Sequence, residues 1–136
     1  MSEGPSRFGS PPTAEQIAAQ AEHALAAIPP RLLNYVRGVA IAVEEMADEE
    51  TLRDLGLESP WELTGLYSGT PLTLKSVDDT ANLPNRICLY RQPILLEWIE
   101  TDVDLFHLVR NVVVHEIAHH FGFSDADIDA IESEMD

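Results

Sequence analysis

The residues best suited to do chemistry are two histidines and a glutamate in the run His115-Glu116-Ile117-Ala118-His119. On a helix, residues four apart lie on one face, so His115 and His119 can direct ring nitrogens at a single metal ion. Glu116 stands about 100° round the helix from His115, which lets it contact a water beside the metal without taking a coordination position. This spacing predicts a catalytic site for one Zn²⁺ ion, with Glu116 as the general base.

A third ligand is needed, because two imidazoles rarely hold a metal ion alone. Gly122 can adopt the left-handed conformation that ends a helix and turns the chain back, which would return Asp125 to the metal. Ser124, with Asp127 three residues later, is typical of the N-cap of a new helix. Two histidines and one aspartate leave a fourth position for water, as in catalytic zinc sites.

Other residues near the motif offer alternatives or have structural roles. Glu132 or Glu134 on the last helix is an alternative to Asp125 as third ligand, and manganese or iron would also accept such ligands. His120 lies off the ligand face and is expected to be a surface residue or to contact a ligand side chain. His107 lies too far along the helix axis to share the ion and is expected to be structural.

The motif and two earlier segments together resemble a known family. These segments are residues 65–72, 83–95 and 112–122. They are similar to the small bacterial zincin-like metallopeptidases, and the aspartate after the motif resembles the variant found in snapalysin-like proteases. The resemblance covers roughly residues 14–133. It implies an α+β, minimal zincin-like fold, in which a small mixed β-sheet packs on helices and a buried helix carries the motif. It also implies that His115, His119 and Asp125 are the zinc ligands and that Glu116 is the general base.

Two features depart from the better-known metzincins. The third ligand is an aspartate where they have histidine, which makes the site less cationic and softens the acidification of bound water. Only eleven residues follow Asp125, and no methionine-bearing turn is apparent. Met135 near the end is expected to pack or to fray with the last helix. These departures bear on the depth of the substrate pocket and the catalytic rate more than on the metal.

Composition restricts the class of protein. The glycines and prolines among the first twelve residues predict a flexible leader at residues 1–12, and the length of 136 residues predicts a single domain at residues 13–136. A formal charge of −16, with only eight Lys and Arg, argues against a nucleic-acid partner. No signal-peptide core or apolar run of membrane-spanning length occurs, so a cytoplasmic protein without a membrane partner is expected. The single cysteine, Cys88, is expected to pack inside a strand. The oligomeric state is not specified.

Hydrophobic periodicity places the motif among regular elements. Alternation predicts strands at residues 39–43, 63–67 and 86–90, with a possible return strand at residues 72–74. Helical spacing predicts helices at residues 14–28, 49–55 and 94–99, a helix from residue 102 or 103 to residue 122, and another after Ser124. Thr13 and Gln16 form a capping box for the first helix. The motif helix is too apolar for the surface, so it is expected to lie buried against the sheet.

The residues predict metal-assisted hydrolysis of a peptide or protein substrate. Glu116 would take a proton from the activated water and return it to the leaving amine. Tyr67 or Tyr90 is a candidate donor to the oxyanion, although a strand tyrosine more often serves packing. The substrate is expected to lie as an added strand along residues 63–74. The alternative is a non-catalytic zinc-binding interaction or regulatory module, which the small size favours and Glu116 opposes.

Overall fold

The computed structural model describes residues 10–32, 38–68 and 85–136, without the side chain of Arg31. Its α-helices are α1 (Ala14–Ala26), α2 (Glu49–Leu55), α3 (Arg91–Thr101), α4 (Leu105–His120) and α5 (Asp125–Met135). Its strands are β1 (Ala40–Glu44), β2 (Gly65–Ser68) and β3 (Arg86–Tyr90), and short 3₁₀ turns lie at Pro30–Leu32 and Pro60–Glu62. Most of the predicted leader and the whole return strand at residues 72–74 lie outside the described residues.

Local capping signals set several helix ends as predicted. The Gln16 N–H donates to Thr13 Oγ1 at 3.1 Å, and the Thr13 N–H donates to Gln16 Oε1 at 2.8 Å. The same reciprocal arrangement joins Ser124 and Asp127 at the start of α5. Each box satisfies backbone donors that the first helical turn leaves free, so both helices begin where the sequence indicates.

Two predicted boundaries are wrong around the loop between α3 and α4. Helix α3 begins at Arg91 rather than residue 94. Pro93 is tolerated in its first turn, because backbone N–H groups there form no hydrogen bond within the helix and the lack of one costs nothing. It ends at Thr101, and the following residue, Asp102, caps it in a left-handed conformation with φ of 59°. Helix α4 then begins at Leu105 rather than residue 102 or 103, since the Asp104 side chain caps it by accepting the His107 N–H at 3.3 Å.

The described strands form a mixed three-stranded sheet in the order β1-β3-β2. Strand β1 runs parallel to β3, with Ala42 opposite Cys88, and β2 runs antiparallel to β3, with Leu66 opposite Cys88. Strand β3 is therefore central, and β2 forms one edge. Together with the helices, this confirms the predicted α+β class.

Helix α4 lies against one face of the sheet. Its Val109 and Val113 are fully buried in a core shared with Ile87 and Leu89 of β3 and Ile17 of α1. Burying each such side chain stabilises the fold by about 1.5–3 kcal/mol relative to leaving it in water. These contacts hold the motif helix rigidly, as the apolar pattern predicts.

The opposite face of the sheet has its own small core. Cys88 and Tyr90 of β3 pack there against Leu52 of α2, with Cys88 buried as expected. Among the described residues, no helix is both long enough and apolar enough to cross a membrane.

Candidate active site

The motif lies where α4 emerges from the core into a cleft. His115, Glu116 and His119 line this cleft, whose volume is about 300 Å³. The remaining lining residues come from α3, α4 and the approach to β2, and they are Thr64, Glu97, Leu108, Asn111 and Val112. The opposite side of α4 is buried, so the three functional side chains are presented at a fixed position.

The two imidazoles lie close together and are both accessible. Their ring centroids are 5.9 Å apart, with 74° between the ring planes. Two imidazoles bound through Nε2 to one tetrahedral zinc ion have centroids roughly 5 Å apart, given zinc–nitrogen bonds near 2 Å. The observed centroid separation of His115 and His119 is therefore about 1 Å larger than that of two imidazoles on one ion.

Asp125 returns to the motif through a tight turn. Gly122 has φ of 83°, its N–H donates to the His119 carbonyl at 3.1 Å, and the Phe123 N–H donates to the Ala118 carbonyl at 2.8 Å. This is the Schellman arrangement that reverses the chain after a helix. Asp125 Oδ1 consequently lies 3.6 Å from His119 Nε2. Two ligands of one tetrahedral zinc ion are roughly 3.3 Å apart, so this separation suits a shared metal.

Glu132 is the second carboxylate at the motif, on the turn of α5 that faces His115. Its Oε2 lies 3.1 Å from His115 Nε2, and the Asn111 amide, with its nitrogen turned toward Glu132, donates to the same oxygen at 3.0 Å. The Glu132 side chain is 17% exposed, whereas that of Asp125 is 96% exposed. Glu132 is thus held by its neighbours, while Asp125 is free to rotate.

The donor set fits zinc in chemistry but is not drawn together around one point. Within residues 10–32, 38–68 and 85–136, no three His, Cys, Asp or Glu side chains are grouped closely enough to hold a metal ion. Each imidazole instead faces its own carboxylate, His115 facing Glu132 and His119 facing Asp125. Imidazole nitrogens and carboxylate oxygens are preferred zinc ligands. The side chain of Asp125 is exposed, so a change of its rotamer would not disturb the core. The roles of His115, His119 and Asp125 as ligands stay predictions.

Glu116 faces β2, which forms one edge of the sheet made by the described strands. The Tyr90 N–H donates to the Thr64 carbonyl at 2.9 Å, so the alternation of an antiparallel pair directs the Tyr67 N–H away from β3. That N–H faces the Glu116 carboxylate and acts to lower its pKa. Burial raises the pKa of Glu116 above its ordinary value, and His119, the Tyr67 N–H and His115 partly offset the rise. The result is a half-buried carboxylate of raised basicity, pointing along the cleft.

Gly65 permits this contact and was not singled out by the spacing of the motif. A Cβ atom at Gly65 would lie 2.7 Å from Val112 Cγ1, on the turn of α4 that precedes Glu116. Only glycine therefore lets β2 approach α4 closely enough for the Tyr67 N–H to reach Glu116. A glycine inside a strand often marks such a close backbone approach, which is the signal available in the sequence.

Neither tyrosine proposed as an oxyanion donor lines the cleft. The Tyr67 hydroxyl is buried without a hydrogen-bond partner among the described residues, and its ring stacks on His120 with centroids 4.1 Å apart. Tyr90 lies on the opposite face of the sheet beside Cys88. His120 is off the ligand face, as expected, and burial lowers its pKa.

Sequence comparison agrees with this geometry. The sequence model of the zincin-like metallopeptidases matches residues 36–135, which include every element of the sheet and the whole motif. The chain belongs to the zincin-like metallopeptidase family. A comparison with curated proteins found no match. In this zincin-like metallopeptidase, Glu116 and both histidines lie on helix α4, beside strand β2 of the described sheet.

Proposed function

We propose that the chain is a zinc-dependent peptidase in which Glu116 is the general base. His115, His119 and Asp125 would hold the zinc ion. The observation that carries the proposal is the position of Glu116, which lines the same cleft as the two accessible imidazoles of His115 and His119. A metal held only for structure would need no such base beside it.

The chemistry divides between the metal and the protein. Zinc bound at this site supplies Lewis acidity, which lowers the pKa of water and polarises a peptide carbonyl. Glu116 is placed to accept the proton of the attacking water and to donate it to the leaving amine. The Tyr67 N–H faces this carboxylate from the sheet, on the side of Glu116 that adjoins β2.

The edge strand β2 is the proposed platform for the substrate. An extended peptide can add to this edge and form main-chain hydrogen bonds, with the scissile bond near Glu116. Among the described residues, the main-chain groups of β2 that point away from β3 are those of Gly65 and Tyr67, and the Tyr67 N–H faces Glu116. Binding through the main chain would require little sequence selectivity.

A quenched-fluorescence peptide assay tests the proposal. The zinc-loaded protein is expected to hydrolyse the peptide, a chelator is expected to abolish hydrolysis, and added zinc is expected to restore it. Glu116→Gln should keep its zinc and lose hydrolysis by at least about 100-fold, the usual minimum for an acid–base catalyst. A fully metal-loaded protein that cleaves none of a diverse peptide mixture would instead support the non-catalytic zinc-binding module.

A further inference from the structure

We propose that Glu97 makes the cleft selective for peptides that carry lysine or arginine close to the scissile bond. This inference rests on the proposed peptidase function and identifies the class of substrate. The observation behind it is the location of Glu97 on α3, in the wall of the cleft that faces His115 and Glu116.

The Glu97 carboxylate has no partner within the described part of the chain. The main-chain carbonyl of Glu97, and not its side chain, accepts a hydrogen bond from the Thr101 hydroxyl at 2.7 Å. The side chain is exposed to the cleft. A carboxylate in this position is free to bind a cation supplied by a ligand.

The arginines in the described ranges do not compete for Glu97. Arg91 pairs with Glu45 at 2.9 Å, and Arg110 pairs with Asp136 at 2.6 Å, both away from the cleft. Arg53 and Arg86 do not line the cleft. Among the described side chains, a basic group of the substrate would therefore meet Glu97 without displacing an internal ion pair.

The remaining charges of the cleft are committed to catalysis under the proposed function. His115 and His119 would hold the metal, and Glu116 would move the proton. The other lining side chains are neutral, namely Thr64, Leu108, Asn111 and Val112. Of the cleft residues that the structure describes, Glu97 is thus the charged group left to contact a substrate side chain. The formal charge of −16 also favours basic substrates, because it attracts cationic peptides at low salt.

Three quenched peptides that differ only in one residue beside the cleavage site test this inference. The residue is lysine, norleucine or glutamate. The wild-type protein is expected to show the highest kcat/KM with lysine and the lowest with glutamate. Glu97→Gln should lower the ratio of lysine to norleucine about five-fold, the upper range for an accessible ion pair. Glu97→Lys should invert the preference, and rising salt should weaken it in the wild type.

Glu100→Gln is the matched control, because Glu100 is exposed on the same helix and does not line the cleft. It removes the same charge and should leave the ratio unchanged. Fluorescence anisotropy with the same peptides measures binding separately from cleavage. If none of the peptides is cleaved, the peptidase proposal fails, and the binding ratio still decides the role of Glu97. Equal ratios in wild type and Glu97→Gln, or an equal loss in Glu100→Gln, would overturn the inference.

Discussion

Replacing Gly65 by alanine tests how closely β2 must approach α4. The new Cβ would lie 2.7 Å from Val112 Cγ1, while carbon atoms in contact are ordinarily about 3.5–4.0 Å apart. The strand and the helix must then separate by roughly 1 Å, and overpacking of this kind costs about 1–3 kcal/mol. For a domain of this size, we expect thermal denaturation to show a fall in the melting temperature of roughly 3–12 °C.

A double-mutant cycle identifies the cause of that loss. Val112→Ala removes the atom that alanine at position 65 would meet, and alone it is expected to cost about 1–3 kcal/mol through the cavity it leaves. The double variant should be more stable than the sum of the two single effects by at least about 1 kcal/mol. Val109→Ala, which truncates a buried valine one turn earlier, is the control and should add to Gly65→Ala without coupling. Additive effects in both cycles would refute the close approach as the reason for glycine.

Three further predictions follow from the site and its supports. Asp125→Ala should weaken zinc binding more than Glu132→Ala does, as measured by competition with a chelating dye. For Glu132→Ala we expect a loss of about 10–100-fold in zinc affinity, because this residue only orients His115. The reverse order would make Glu132 the third ligand. Tyr67→Phe should keep kcat within about two-fold, because its hydroxyl is not at the cleft, whereas loss of an oxyanion donor would cost about 100-fold or more. Burial raises the pKa of the Cys88 thiol and of the Tyr90 hydroxyl in the folded protein. The unfolded chain therefore loses these protons at a lower pH than the folded protein does. The free energy of unfolding should consequently fall as the pH rises above about 8.5. Denaturant titrations at pH 8 and pH 10 should show this fall, and Tyr90→Phe should reduce it; an undiminished fall in that variant would contradict the assignment.

Much of the local structure can be predicted because its causes lie within a few residues. The capping box of Ser124 and Asp127 and the left-handed Gly122 depend on interactions across three to five positions, and the structure confirms both. The strand at residues 86–90 and the helix at residues 49–55 are confirmed for the same reason, since alternation and helical spacing are local patterns.

The parts of the site that the sequence does not reveal depend on contacts between distant residues. The Tyr67 N–H and Glu116 meet only because β2 occupies the edge of the sheet, and no periodicity in residues 65–68 specifies that position. The pairing of His115 with Glu132 likewise depends on the angle at which α5 folds back along α4. Spacing identified Glu132 as one of three candidate carboxylates, but it did not show which imidazole each would face.

Metal content measured on gently purified protein tests the central claim most directly. Native mass spectrometry with elemental analysis should find one zinc ion per chain in the wild type and in Glu116→Gln. His115→Ala and His119→Ala should each retain little or none, while staying folded by circular dichroism. A wild-type protein that takes up no zinc when supplied with an excess, or histidine variants that keep a full equivalent, would contradict the account.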